Sequence, residues 1–273
     1  MNYLETLKAI ENFVPVVGHE ILKVYEQRKT IEIKTKANST PVTQADMIAH
    51  DMIAAALKKL TPDIPLLSEE GKDIPFSIRS QWEYYWLVDP LDGTKEFIEG
   101  NGEFTVNIAL IEKHLPVVGI IYQPTTQDYF FAAKNQGAYW RSPLGDYVQL
   151  HTRAYSKEHM EVLISRHHTP KWLLQQLESS NMPFHFQGLG SSLKFCRIAS
   201  GLADVYPRLG PTSEWDTAAG QCIVEEAGGA VLQMSGEPLR YNTKDLLENP
   251  PFLSVADKHA DWAEWLAWMK ARI

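Results

Sequence analysis

The apolar run Tyr84-Tyr85-Trp86-Leu87-Val88 stops abruptly at Asp89-Pro90-Leu91-Asp92-Gly93-Thr94, and no other junction constrains the chain as strongly. The run reads as a strand. Pro90 fixes the turn that follows it, and Asp92 lies three residues beyond Asp89, where the chain starts to coil into a short helix. Two carboxylates thus converge on one point. The carbonyl of Leu91 can face the same point, giving a hard, oxygen-rich site that suits magnesium. Gly93 and Thr94 present backbone N–H groups at a helix start, where an anion is favoured. The segment also has a plainer reading, since Asp-Pro and Asp-Gly pairs are common turn formers and an aspartate before a helix is often only a cap.

Two more acidic segments resemble it. Leu66-Leu67 runs into Ser68-Glu69-Glu70-Gly71, a strand emptying into a polar turn, and Trp215-Asp216-Thr217-Ala218-Ala219-Gly220 opens a helix of small residues. Taken singly, each is equally a cap or a solvated acidic turn. The whole chain carries a formal net charge of −8, which argues against a nucleic-acid polymer as partner because phosphate backbones reward clustered Lys and Arg. An acidic protein that handles phosphate has to recruit cations. The two cysteines, Cys196 and Cys222, form no CxxC pair, so neither a disulfide framework nor a zinc cluster is signalled. Glu5, Lys8 and Glu11 interrupt the stretch where a signal peptide needs an apolar core, and no run of apolar residues is long enough for a membrane span. The expectation is a cytoplasmic protein, with loose attachment to the inner face of the cell membrane left open.

The 273 residues show no composition break, so two intimately packed halves are expected, residues 1–152 and 153–273. Helical spacing predicts a long helix over 3–26 containing Pro15 and a second over 44–60, with a strand over 31–35 before it. Segments 104–111, 116–122 and 127–132 follow one another with turn signals between them, as in an antiparallel meander. Beyond Thr152 strands at 162–165 and 184–186 alternate with helices near 171–177 and 192–200. A helix over 214–227 is closed by Gly228-Gly229 and followed by a strand over 230–233. Trp262, Trp265 and Trp268 recur every three residues in a terminal helix and read as a docking face. The fold class is therefore α+β in the first half and α/β in the second.

Together the motifs Ser-Glu-Glu, Asp-Pro-Leu-Asp-Gly-Thr and Trp-Asp-Thr-Ala-Ala-Gly, in that order, resemble the lithium-sensitive, magnesium-dependent phosphatases of the inositol monophosphatase superfamily. The resemblance implies a layered αβαβα fold. It also implies that Glu69, Asp89, the Leu91 carbonyl, Asp92 and Asp216 hold two or three Mg2+ ions, with Asp89 bridging two of them. Pro41-Val42-Thr43-Gln44-Ala45-Asp46 matches a further family motif, whose aspartate works with the threonine matching Thr94 to orient the attacking water. Read locally, Asp46 is only a first-turn helix acid, and Glu70 either supports the metal shell or faces solvent. Glu69, Leu91, Asp92, Gly93, Thr94 and Asp216 would line the phosphate of a bound ester.

Specificity is expected from the second half. Gly190-Ser191-Ser192-Leu193-Lys194-Phe195-Cys196, the segment Tyr206-Pro207-Arg208-Leu209-Gly210-Pro211-Thr212 and Lys95-Glu96-Phe97 look like those of the CysQ-type 3'(2'),5'-bisphosphate nucleotidases. That likeness implies a nucleotide bisphosphate substrate, adenosine 3',5'-bisphosphate above all and its sulfated relative besides; the sequence leaves monomer and homodimer both open. Ser191, Ser192, Lys194 and Arg208 are expected to face the substrate. His167 follows a strand and either reaches the nucleotide or sits in a surface loop. Two alternatives stay open: an inositol monophosphatase of broad sugar-phosphate tolerance, and a catalytically silent, metal-dependent nucleotide sensor.

Overall fold

Asn2 starts the first helix, its side-chain oxygen accepting the Leu4 and Glu5 N–H groups at 3.2 and 3.4 Å. In the computed structural model, which describes residues 2–27, 34–35, 41–42, 44–156, 158–167, 169, 172–173, 175 and 184–271, helix α1 (Tyr3–Glu26) carries Pro15 within it. Of the strand expected over 31–35 only β1 (Lys34–Thr35) lies among the described residues; it pairs antiparallel with β2 (Pro41–Val42) ahead of α2 (Gln44–Leu60). Helices α1 and α2 bury Ile10, Val14, Val17 and Ile21, and Ala49 and Ile53, against one face of a seven-stranded sheet.

That sheet runs in the order β3 (Leu66–Ser68), β4 (Tyr84–Asp92), β5 (Thr105–Glu112), β6 (Leu115–Gln123), β7 (Asp128–Ala133), β8 (Gly137–Arg141), β9 (Tyr147–Leu150). Strands β5, β6 and β7 are the predicted antiparallel meander, β4, β8 and β9 extend it antiparallel, and β3 joins β4 in parallel. Trp86, Val88, Ile108, Leu110 and Ile120 face the helices just described, while Tyr85, Leu87, Ala109, Ile111 and Ile121 face the other side. Both faces are covered, which is why these strands read as continuous apolar runs rather than alternating ones. Two short helices, α3 (Phe76–Arg79) and α4 (Thr94–Glu99), interrupt the sequence of strands.

The second sheet has the order β11 (Phe184–Leu189), β10 (Met160–Ser165), β12 (Val205–Arg208), β14 (Phe252–Val255), β13 (Ala230–Gln233). Between the two sheets lie α5 (Leu193–Ala199) and α6 (Glu214–Ala227), whose Phe195, Ala218, Ala219, Cys222 and Ile223 share one core with Tyr85, Leu87, Ile121, Leu163, Tyr206 and Phe252. Gly119 on β6 allows this close approach, because a Cβ there would lie 2.5 Å from the Ala219 carbonyl oxygen. The last helix, α7 (Ala263–Lys270), covers the outer face. Trp262 and Trp265 are buried there with Met160, Val162 and Leu253, so the tryptophan stripe is core, as its spacing suggests. Helix, sheet, helix, sheet, helix is the αβαβα layering expected. Of the helix expected near 171–177, only Trp172, Leu173 and Gln175 lie among the described residues.

Two expectations are corrected. Strand β4 does not end at Val88 but runs on to Asp92: Asp89 faces Asn107 and Asp92 faces Thr105, so Pro90 and Leu91 together oppose Val106 alone. One extra residue on one strand is a β-bulge, a place where a proline without an N–H is tolerated. The sequence also gives no sign of β8, β9, β12 and β14. Most of β9 is exposed and lacks an alternating pattern, and Pro207 reads as a breaker although it pairs in register with Leu253.

Burial has a cost on α6. Glu225 has its carboxyl pushed up to about 7 by burial, against the hydrogen bond donated by Gln221 Nε2 at 2.9 Å. Below its ordinary value of 4.5 the group is neutral in folded and unfolded chains alike. Stability is lost as pH rises from there, and the loss levels off above about 7. Glu225→Gln keeps an acceptor for Gln221. It is expected to raise the thermal midpoint by about 2–5 °C near pH 8 and hardly at all near pH 4. Melts followed by circular dichroism at both pH values check this; an equal gain at both contradicts it.

Candidate metal centre and phosphate site

The bulge in β4 brings two carboxylates to one place. Asp89 is buried and accepts the Leu91 N–H at 3.0 Å, which folds the chain back across Pro90. Asp92 closes the bulge, after which Gly93 takes a left-handed φ of 92°. A Cβ on Gly93 would stand 3.0 Å from the Glu103 carbonyl oxygen and 3.2 Å from the Ser191 Cβ, so position and backbone both call for glycine. Thr94 then begins α4.

The third carboxylate arrives on a helix packed between the two sheets. Asp216 sits in the first turn of α6, where it accepts the Ser213 N–H at 2.9 Å. One ligand atom from each of Asp89, Asp92 and Asp216 lies within 4.8 Å of the others. Glu69, at the end of β3, donates its N–H to the Val88 carbonyl at 3.1 Å. It stands outside that tight triple, yet its negative charge raises the pKa of both Asp89 and Asp216. Asp46, buried in the first turn of α2, also raises Asp89.

Burial first, and then the neighbouring carboxylates, hold Asp89 far above the usual carboxylate range. Asp216 is raised likewise by burial, Asp92 and Glu69, against the Ser213 N–H and Arg208. Like charges crowded around a buried carboxylate without compensation are strongly destabilising. Oxygen donors alone, all carboxylate, favour a hard cation and disfavour zinc or copper. The residues present therefore fit magnesium.

The substrate-side residues take varied positions. Ser191, in a left-handed conformation with φ 52°, donates its hydroxyl to Asp92 Oδ2 at 2.7 Å, and the Ser192 N–H reaches the same oxygen at 2.6 Å. Both groups point at a carboxylate rather than outward. Lys194 is buried, its Nζ donating to the Leu189 and Ser191 carbonyls at 3.1 and 2.5 Å and lying 5.2 Å from the centre of the Tyr206 ring. Burial pulls its pKa down to about 8. Arg208, also buried, donates to the carbonyls of Gly210 and Pro211 at 3.1 and 2.7 Å, beside Asp216. His167 Nε2 lies 3.4 Å from Glu96 and 3.3 Å from Glu99, bringing the β10 loop against α4.

Three residues of this neighbourhood escape a reading of the sequence. Thr105 and Asn107 are completely buried on β5 beside Ser191, Ser192 and Asp92, and Glu103 accepts both the Gly190 N–H at 2.7 Å and a two-pronged contact from Arg166. The signal for the first two was present: polar residues at alternating positions in the otherwise apolar Phe104-Thr105-Val106-Asn107-Ile108 mark buried groups that need partners.

A family model described as the inositol monophosphatase family matches residues 3–267. The chain is 46% identical over 235 residues to the 3'(2'),5'-bisphosphate nucleotidase CysQ of Salmonella typhimurium, covering 86% of this chain and 93% of the relative. It is 44% identical over 236 residues to the protein of the same name from Escherichia coli K12, with the same coverage. Among solved structures, CysQ from Bacteroides thetaiotaomicron, described as a bacterial member of the inositol monophosphatase family, superposes with a TM-score of 0.79 at 37% identity, over 95% of this chain and 99% of that one. An inositol monophosphatase from Thermotoga maritima shares the fold at a TM-score of 0.79 and 21% identity. With the carboxylate cluster, the bulge and the layered sheets all in place, the chain belongs to the inositol monophosphatase family.

Proposed function

We propose that this protein is a magnesium-dependent 3'(2'),5'-bisphosphate nucleotidase that removes the 3'-phosphate of adenosine 3',5'-bisphosphate. The observation that carries the reading is the close-set triple of Asp89, Asp92 and Asp216, the first buried and the other two half-buried, whose repulsion calls for divalent cations beside the start of α4. Its narrowing from phosphatase to nucleotidase rests on the likeness to the CysQ proteins, which extends through Gly190-Ser191-Ser192-Leu193-Lys194-Phe195-Cys196.

In this reading Asp89, Asp92, Asp216 and Glu69, with the Leu91 carbonyl, hold the ions. Bound magnesium supplies Lewis-acid stabilisation of phosphoryl charge and makes a water more acidic. Asp46 accepts the proton of the attacking water, and the Thr94 hydroxyl orients that water toward phosphorus. The Gly93 and Thr94 N–H groups meet the phosphoryl oxygens as negative charge spreads over them. No covalent intermediate on a side chain is needed. Lys194 and Arg208 act on the second phosphate largely through their field, since hydrogen bonds to backbone carbonyls fix Lys194 against Leu189 and Ser191 and Arg208 against Gly210 and Pro211. His167, Ser191 and Ser192 shape the wall against which the nucleotide rests.

Phosphate release in magnesium buffer from adenosine 3',5'-bisphosphate and from inositol 1-phosphate tests the proposal. The nucleotide is expected to give a kcat/KM at least about tenfold higher, as befits a site built around a second charged group. Preference for the inositol ester would make the protein an inositol monophosphatase, and no magnesium-dependent release from either would make it a binding protein.

A further inference from the structure

Behind Asp92 three hydroxyls and one amide form a closed chain of hydrogen bonds that joins the two halves of the fold. Thr105 Oγ1 lies 2.6 Å from Ser191 Oγ, 2.7 Å from Ser192 Oγ and 3.1 Å from Asn107 Oδ1. Ser192 Oγ lies 2.8 Å from Asn107 Oδ1, and Ser191 Oγ lies 2.7 Å from Asp92 Oδ2. Thr105, Asn107 and Ser192 are all buried.

Counting protons fixes the end of the chain at Asp92. Each hydroxyl has one proton to give, an ionised carboxylate only accepts, and the amide oxygen only accepts. With Ser191 donating to Asp92, Thr105 and Ser192 share their two protons among the Thr105–Ser191, Thr105–Ser192 and Asn107 Oδ1 contacts, so every hydroxyl proton has an acceptor and Thr105 is held whichever way its own proton turns. Asn107 Nδ2 turns toward Asp92 Oδ2 at 3.4 Å, and the Ser192 N–H reaches the same oxygen at 2.6 Å. Thr105 is the hub: it touches Asn107 and both serines, and it comes from the first sheet whereas the serines come from the second half.

We propose that Thr105 is a positioning residue for the reaction, holding Ser191 and Ser192 so that the Asp92 carboxylate keeps the single orientation in which it binds magnesium. Since β5 carries the hub and the serines lead into α5, the same contacts tie metal binding to the placement of the helix that carries Lys194. This inference rests on the metal-dependent reading above. A ligand turned loose by losing its outer partner typically binds metal 10- to 100-fold more weakly.

Thr105→Val keeps the side-chain shape and deletes the hub hydroxyl, while Thr105→Ser restores the hydroxyl without the methyl group. Calorimetric titration with Mg2+, with no substrate present, is expected to show binding weakened by about 10- to 100-fold in Thr105→Val and close to wild type in Thr105→Ser. Turnover of Thr105→Val should recover at high magnesium. Unchanged magnesium affinity in folded Thr105→Val overturns the inference, as does a Thr105→Ser that behaves like the valine variant, which would assign the effect to packing. Should the valine variant not fold, Ser191→Ala, which removes the direct donor to Asp92, carries the same expectation and the same contrary outcome. Failure of the wild-type chain to bind Mg2+ at all would instead sink the metal-dependent reading.

Discussion

Asp89→Asn is expected to cut phosphate release at least about a thousandfold while the metal-free protein becomes more stable, its thermal midpoint rising by about 2–8 °C. Both effects come from one charge. Asp89 is buried at the centre of the acidic cluster, and Glu69, Asp92, Asp216 and Asp46 all oppose its ionisation. Without cations the cluster works against folding, and an amide of the same volume relieves that repulsion while still accepting the Leu91 N–H. The same replacement removes the charge that draws the ions in. Melting curves with and without Mg2+ should show a large magnesium-induced rise in the wild type and little or none in the variant. A variant less stable than wild type without metal, or one with wild-type turnover, would contradict this account of the cluster.

Asp46→Asn should behave differently, and the contrast separates a proton acceptor from a metal ligand. Asp46 lies on α2, on the opposite face of the sheet from α6, and reaches the cluster through its field on Asp89. Removing its basicity is expected to lower kcat by about 10²–10⁴-fold. Magnesium affinity should change far less than in Asp89→Asn, because the Asp89, Asp92 and Asp216 triple is intact. Single-turnover rates measured beside calorimetric Mg2+ titration distinguish the two roles; a parallel collapse of affinity would make Asp46 a ligand, and a preserved kcat would leave it a simple helix acid.

The acidic cluster was legible because its residues stand beside segments that local sequence defines well: an apolar run before Asp89, a strand before Glu69 and a small-residue helix after Asp216. Strand ends and helix starts are where local pattern carries positional meaning. The bulge was not legible, because the extra residue opposite Val106 is a property of pairing between β4 and β5 rather than of either strand alone. For the same reason a sequence that leads one to expect Ser191 and Lys194 against substrate says nothing of their partners within the fold, Thr105 and Asp92 for the serine and two backbone carbonyls for the lysine. A serine or lysine advertises a capacity to bond; which partner it takes depends on elements far away in the chain. Strands β9 and β12 escaped notice because exposure in one and Pro207 in the other erased the alternation by which strands are recognised.

Anomalous scattering from crystals of the protein grown with Mn2+, a magnesium substitute of similar oxygen preference, tests the cluster most directly. Strong peaks between the carboxylates of Asp89, Asp92 and Asp216 are the expected result in the wild type, with the peak lost or greatly weakened in Asp89→Asn. Manganese bound elsewhere, with no density among those three side chains, would contradict the metal centre on which the proposed chemistry depends.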